Sequence, residues 1–539
     1  MKKFLLSLSV FLLFAVSVFC GEWDGYFVVL HTNDIHGRAY SSENYWGYAG
    51  IKRVKDYFEK QGADVFLADA GDFSQGTPLV NLGKGKNAVD FMNRAGYNAA
   101  ALGNHEFDWG IDSLLNNLEK SRFKVLCCNI LRASDNEPIF ETNMVFETKS
   151  GKKVGVFGVD TPECAVKVHP GKITGLRFLG EKEMYNEAQK QIAELKNKNC
   201  SFIICLGHLG DSDESYLNRS IDLIDNTRGI NLFVDGHSHT KLEKGVWQNN
   251  TFRVSAGEFS KNIGCVIYKE TEQGFEFKEY LFASPEKGFS ELFAPMYDEK
   301  LKKYIDSINA EITEKLSQPV AVSEVELNGD RAPGNRTEET NLGDLTADAV
   351  LWKAKEYTED CDCALVNGGS LRSGFGKGNI SVMDLKTCNP YDNEICIIKV
   401  KGSELLEALE AATCVTPMEL GAFPQVAGIE MTVDTGTEFV KGEKYPDSVF
   451  YAPKNPGSRV TVKSVGGKSF DPEKIYTLAT SDFMAMGGDT YYVFRYAYRT
   501  SGIDTGMALD EAVGEYMEKY LKGKIGADYA SPKGRILIK

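Results

Sequence analysis

An α/β fold in two domains follows from three observations. At 539 residues and 42% hydrophobic, the chain is globular in composition and too long for one core. Up to about Asn226, short apolar runs alternate with stretches of helical spacing, and from Ile230 to Phe282 short strands dominate. That order predicts a mixed sheet sandwich covered by helices. After Pro319 a second alternation begins, with helices expected at about Leu342 to Tyr357, Ser403 to Ala412 and Ala508 to Tyr520.

The elements follow in chain order. Lys2 and Lys3 precede an uncharged run from Phe4 to Phe19, and Glu22 and Asp24 follow Gly21, which is the shape of a secretory signal peptide over residues 1–20. The run is shorter than the roughly 20 residues a membrane-crossing helix needs, so no transmembrane span is expected after its removal. An exported protein, periplasmic or extracellular, is the expectation. Cys20 raises a lipoprotein alternative, against which stands the bulk of Phe19. The end, Gly534 to Lys539, has no long apolar tail of the kind a lipid-anchor signal requires. The first domain is expected over 24–290. From Pro295 to Leu316, residues Met296, Leu301, Tyr304, Ile305, Ile308, Ile312 and Leu316 recur at helical spacing, predicting a connecting helix within 291–318. The second domain is expected over 319–539.

A net charge of −15 argues against nucleic acid as a partner, because phosphate-backbone binding needs clustered lysine and arginine. It leaves room for a phosphorylated small molecule, since two cations and a few arginines make one cleft positive on an acidic surface. Nothing in the sequence fixes an oligomeric state. Of twelve cysteines, Cys200, Cys205 and Cys265 read as small buried hydrophobes in apolar strands. Cys361, Cys363, Cys388, Cys396 and Cys414 cluster in the second half and are candidates for one or two disulfides of open connectivity. The Cys127-Cys128 pair and Cys361/Cys363 lack a second C-x-x-C, so a zinc knuckle is not expected.

The chemistry concentrates in the histidines. There are seven, and five fall in the segments T-N-D-I-H-G, G-N-H-E-F-D, G-H-L-G and D-G-H-S-H. These contribute Asp34, His36, Asn104, His105, His208, His237 and His239, and G-D-F-S-Q-G adds Asp72. His31 and His169 read as structural. Side chains at i and i+2 of an extended segment share a face, so Asp34/His36 and His237/His239 are each expected to aim two donors at one point. Phe27 to Leu30, Ala63 to Ala68, Phe202 to Leu206 and Ile230 to Val234 read as buried strands leading into these segments. Ligands beyond the carboxyl ends of strands are the rule for open α/β sheets. In the second half, Val366-Asn367-Gly368-Gly369-Ser370-Leu371-Arg372 is a glycine turn after a short strand. Phe483 to Asp489 places an aromatic ring and a carboxylate around another turn, the groups that stack a purine and accept from ribose hydroxyls.

The five metal segments resemble the calcineurin-like metallophosphoesterases, and with the second-half turns the chain resembles the 5′-nucleotidase family over essentially its whole mature length. The resemblance implies an α/β/β/α sandwich followed by an α/β substrate-binding domain. It implies two divalent metal ions, one on Asp34, His36, Asp72 and His239, the other on Asp72, Asn104, His208 and His237. Ligands of this mixture suit Zn, Mn, Fe or Co. It also implies His105 and Asp108 as the catalytic pair, and Arg336, Asn367, Arg372, Tyr391, Asn393, Phe483 and Asp489 as nucleotide contacts. Tyr391 stands where the family has phenylalanine in a P-F-G motif, here Pro390-Tyr391-Asp392-Asn393. The implied activity is removal of phosphate from nucleoside 5′-monophosphates, with UDP-sugars or nucleotide diphosphates as further substrates. Two alternatives are a 2′,3′-cyclic phosphodiesterase with 3′-nucleotidase activity and a non-catalytic nucleotide-binding surface protein. Intact ligand types at all seven metal positions argue against the last.

Overall fold

The computed structural model describes residues 21–168, 170–212, 215–285, 297–391, 393–446 and 448–539. The expected leader, His169, Asp392 and the first turn of the expected connecting helix lie outside these. The first half is built on two six-stranded sheets. In one, Tyr26–Thr32, Asp64–Asp69, Ala99–Ala101 and Lys124–Leu126 run parallel, and Ile263–Thr271 and Gly274–Ala283 extend it antiparallel. In the other, Lys153–Asp160, Phe202–His208, Leu232–Asp235 and Thr251–Val254 run parallel, with antiparallel edges at Asn143–Glu147 and Val246–Gln248.

The alternation within each strand explains the layering. Phe27, Val29, Phe66 and Ala68 face the second sheet and meet Val154, Val156, Ile204, Leu206 and Val234. Val28, Leu30, Val65 and Leu67 point the other way, under the helices Gly47–Lys60 and Lys86–Ala95. Phe157, Ile203, Cys205 and Phe233 likewise face the helix Glu181–Asn197. Phe27 and Phe66 are fully buried, so each stabilises the sandwich by about 2–3 kcal/mol. The parallel strands of both sheets carry their carboxyl ends to the same side, which is where Asp34, Asp72, Asn104, His208 and His237 follow.

The connecting helix spans Glu299–Leu316, started by Asp298, whose side chain accepts from the Leu301 N–H at 2.7 Å. It is not a free connector. Leu301, Ile305 and Ile312 enter the core beneath the first sheet, so the helix is packed on the first half.

In the second half, a five-stranded sheet has the order Pro424–Ala427, Cys363–Asn367, Ile475–Ser481, Glu394–Lys401, Ile503–Ala508. The helix Asn341–Ala354, capped by Thr340 Oγ1 accepting from Gly343 N–H at 3.0 Å, packs on it. The helix Gly402–Ala412 matches its expected place, whereas the last expected helix covers Leu509–Glu515 and loosens into a wider turn over Tyr516–Tyr520. A four-stranded sheet closes this half, and Ile536–Ile538 pairs parallel with Met431 to Val433 in it.

The disulfides considered for the second half do not form. All eleven described cysteines are free thiols, ten of them buried. Cys361, Cys388 and the pair Cys363 and Cys396 belong to three different apolar clusters, and Cys414 packs at the edge of the third. Neighbours in sequence are thus drawn into separate cores. Among the described residues, no helix is long and apolar enough to cross a membrane.

Candidate metal centre and substrate cleft

The ligand-type residues sit just past their strands, and their backbone differs from the extended segments expected. Asp34, His36, Asp72, His237 and His239 all have positive φ, at 50°, 45°, 61°, 79° and 57°. Left-handed backbone is uncommon for such residues and clusters at functional sites, because the surroundings must hold it in place. Here the Asp34 N–H donates to Gly71 O at 2.9 Å, His36 N–H to Asp72 O at 2.9 Å, and Phe259 N–H to Asp34 O at 2.7 Å. Tight turns stitched to one another, not a shared strand face, aim these side chains together.

The convergence is close. His36 Nε2 lies 3.2 Å from His239 Nε2 and 3.6 Å from Asp72 Oδ2, while His208 Nε2 lies 3.1 Å from the same Asp72 oxygen. His239 Nε2 is 3.5 Å from Asp34 Oδ1, and His237 Nδ1 is 3.0 Å from Asn104 Oδ1. Two clusters result, Asp34/His36/His239 and Asp34/Asp72/His208, each with ligand atoms within 4.8 Å of one another. Asp72 touches histidines of both sets, the position a bridging carboxylate needs.

The outward ring nitrogens are held as well. His208 Nδ1 meets Ala70 O at 2.7 Å, His36 Nδ1 meets Gln75 Oε1 at 3.3 Å, His237 Nε2 meets Glu163 Oε2 at 3.1 Å, and His239 Nδ1 meets Glu258 Oε2 at 2.5 Å. Such partners fix the ring and tautomer of a ligating histidine.

Electrostatics agree with a cation site. Burial, with Asp72 adding repulsion, pushes the Asp34 carboxyl up to about 8. Burial lowers His239 to about 3 and His36 well below its ordinary value, whereas Asp72 raises His208 well above it despite burial. His208 Nε2 is buried and makes no hydrogen bond, although it points at Asp72. Crowded buried carboxylates beside buried imidazoles, one with an unpartnered ring nitrogen, are a donor set that divalent cations satisfy. Metal-ion ligation therefore fits these residues.

A buried carboxylate organises the turns around the cluster. Glu106 accepts from the Asp72 and Gly103 N–H groups through Oε2 at 2.8 and 2.7 Å, and from Phe73 and Ser74 through Oε1 at 2.9 Å each. Gly103 is required because a Cβ there would collide with Asp72 Oδ1. Glu106→Gln turns an amide NH2 toward backbone donors, so a loss of about 3 kcal/mol is expected, read as a lower thermal midpoint of the metal-free protein. An unchanged midpoint would remove Glu106 from this role.

His105 and Asp108 form a pair, with Nδ1 2.8 Å from Asp108 Oδ2, and the His105 N–H donates to Asp72 Oδ1 at 2.9 Å. Both line a cleft that also holds Asp72, Asn104, His237 and His239 from the first half. The second half lines the same cleft with all seven expected contacts: Arg336, Asn367, Arg372, Tyr391, Asn393, Phe483 and Asp489. Asn367 Nδ2 donates to Asp489 Oδ2 at 3.0 Å, and Phe483 packs over Gly488, where a Cβ would strike its ring. Tyr391 stacks on His105, with ring centres 5.5 Å apart and planes at 27°, and the Arg372 guanidinium lies 5.9 Å from the same ring. His31 lies apart from the cluster, fully buried and stacked on Tyr280.

Sequence reading missed Lys167, Lys172 and Arg331, which line the cleft, and Glu163, Glu258 and Glu106, which brace the ligands. Arg331 carried one signal, its place five residues before Arg336. Glu106 lies inside the G-N-H-E-F-D segment itself, whereas Glu163, Lys167, Lys172 and Glu258 lie outside the metal segments, and only the fold brings them to the site.

Comparisons with known proteins point the same way. The calcineurin-like phosphoesterase family model matches residues 27–241, and that of the 5′-nucleotidase C-terminal domain matches residues 319–496. A 5′-nucleotidase of Vibrio cholerae is 28% identical over 95% of this chain and 93% of its own length. The snake venom 5′-nucleotidase of Crotalus adamanteus is 28% identical over 99% of this chain and 92% of its own. The trifunctional nucleotide phosphoesterase protein YfkN of Bacillus subtilis is 29% identical over 93% of this chain, which spans only 34% of that longer protein. Among solved structures, the 5′-nucleotidase precursor of Thermus thermophilus superposes with a TM-score of 0.76 at 26% identity, covering 95% of this chain and 99% of that one. With both domain types matched in order and facing one cleft, the chain belongs to the 5′-nucleotidase family of two-domain metallophosphoesterases.

Proposed function

We propose that the protein removes the phosphate of nucleoside 5′-monophosphates, with residues 24–290 as the metal half and 319–539 as the nucleotide-recognition half. The observation that carries this is the single cleft, in which the histidine–carboxylate cluster faces two arginines, an asparagine–aspartate pair and an aromatic ring from the other half. Two divalent ions are assigned, one to Asp34, His36, Asp72 and His239 and one to Asp72, Asn104, His208 and His237, drawn from Zn, Mn, Fe or Co. Such ions supply Lewis acidity toward phosphoryl oxygens and acidify water.

The chain's own groups do the remaining work. Asp108 holds His105 Nδ1, which leaves Nε2 to donate a proton to the departing 5′-oxygen. Arg336 and Arg372 bind the phosphoryl charge, Phe483 offers a face to the base, and Asp489 accepts from ribose hydroxyls. Lys172 and Arg331 add cations to the same cleft, which favours substrates with a second phosphate, such as UDP-sugars and nucleotide diphosphates. Export is inferred from the leader pattern of residues 1–20.

The test is phosphate release from 5′-AMP and 3′-AMP in parallel, with added Mn²⁺ or Zn²⁺. Faster release from 5′-AMP is expected. Preference for 3′-AMP would transfer the assignment to the cyclic-phosphodiesterase branch, and no release from either would favour a binding protein.

A further inference from the structure

The segment from Glu163 to Lys167 is anchored in the metal half, where Cys164 packs with Leu102 and Phe107, and reaches into the nucleotide half through Val166. Val166 is 5% exposed and lies in the second-half core with Leu420, Phe423 and Phe483. Its carbonyl accepts the Asp489 N–H at 2.8 Å. At one end of the segment, Glu163 is fully buried with Oε2 3.1 Å from His237 Nε2. At the other, Lys167 Nζ stands 3.7 Å from Asp489 Oδ1, 4.0 Å from Glu163 Oε2 and 5.6 Å from the centre of the Phe450 ring. The second oxygen of Asp489 is taken by Asn367 Nδ2. A continuous run of contacts, His237 to Glu163 to Lys167 to Asp489 to Asn367, therefore joins the metal cluster to the nucleoside turn across the boundary between halves.

Asp489 is itself in left-handed backbone, at φ 51°, so its carboxylate stays put only because several groups hold it. The Lys167 side chain is 16% exposed and Asp489 5%, which makes their ion pair partly desolvated and stronger than a surface pair. Because the ammonium comes from the metal half, it fixes where the carboxylate stands relative to the metals as well as within its own turn.

We propose that Lys167 is a positioning and specificity residue, one that sets Asp489 to receive the ribose and so favours nucleotides over small phosphate esters. It does not touch the reacting atoms. The inference rests on the nucleotidase reading, and its tests are chosen to fail separately from it. For the full metal-loaded chain, kcat and KM are measured with 5′-AMP and with p-nitrophenyl phosphate, which has no ribose. In K167M the ratio of kcat/KM for 5′-AMP to that for the aryl phosphate is expected to fall about tenfold, through KM for 5′-AMP. K167R should return the ratio to within about threefold of the parent, because it restores the cation. In a D489N background, K167M should change the ratio no further.

A purely structural lysine would depress both substrates together, so a ratio within about twofold of the parent in K167M overturns the proposal. The second measurement is adenosine affinity by calorimetry, which reads the nucleoside subsite without any phosphate chemistry. A Kd weakened about tenfold in K167M supports the proposal, and an unchanged Kd overturns it. A parent protein that binds adenosine but leaves 5′-AMP intact counts against the nucleotidase reading alone.

Discussion

His105→Asn is expected to lower turnover of 5′-AMP by about 10²–10⁴-fold while the protein keeps its full metal content. His105 lines the cleft outside both ligand clusters, and its ring is directed by a carboxylate that also stands outside them, with Nδ1 on Asp108 at 2.8 Å. Its link to the ligands is through the backbone, the N–H that Asp72 Oδ1 accepts at 2.9 Å. Asparagine preserves that N–H and a similar reach but offers no titrating proton. Metal analysis and circular dichroism of the variant should match the parent, and the deficit should lie in kcat. Asp108→Asn should act in the same direction and more weakly, since the imidazole remains. The double variant should be little worse than His105→Asn, because both substitutions act through one ring. Turnover within about threefold of the parent would take His105 out of the mechanism.

Much of this site is legible in the chain because its chemistry requires rare residues in short segments. Histidine is scarce here, so five of them in four glycine-flanked segments stand out. The apolar runs before those segments also mark the strands that lead into the centre, since each side chain of a strand buried on both faces must be apolar. What is not legible has a common physical cause. The left-handed turns at Asp34, His36, His237 and His239 depend on hydrogen bonds to other loops, so the local pattern reads as extended strand. Glu163 and Lys167 look like ordinary loop charges until the packing of Val166 carries them across to Asp489. Cysteines close in sequence are sorted into different cores by the alternation of strand faces and by helix packing, which a spacing argument does not see. The connecting helix shows the same limit, because its apolar stripe reveals that it packs but not which half it packs against.

Asp72→Asn should have a larger effect than His105→Asn and of a different kind. Asp72 reaches a histidine of each ligand cluster through one oxygen, 3.1 Å from His208 Nε2 and 3.6 Å from His36 Nε2. Its other oxygen accepts from the His105 backbone. Burial opposes its ionisation, but His208, His105 and His36 outweigh burial and hold the carboxyl well below the usual carboxylate range. An amide removes that charge from between two histidine sets and leaves Asp34 as the remaining carboxyl of the two clusters. Metal bound per chain, measured by plasma emission after gel filtration, is therefore expected to fall below one ion. Turnover should drop by about 10⁴-fold or more, equivalent to some 5.5 kcal/mol of lost transition-state stabilisation. The fold should survive, since the Asp72 N–H still bonds Glu106 and the asparagine fills the same volume. A variant that retained two ions per chain would show that Asp72 does not bridge. Full metal with lost turnover in His105→Asn, against lost metal and lost turnover in Asp72→Asn, separates the proton donor from the ligand that gathers the centre.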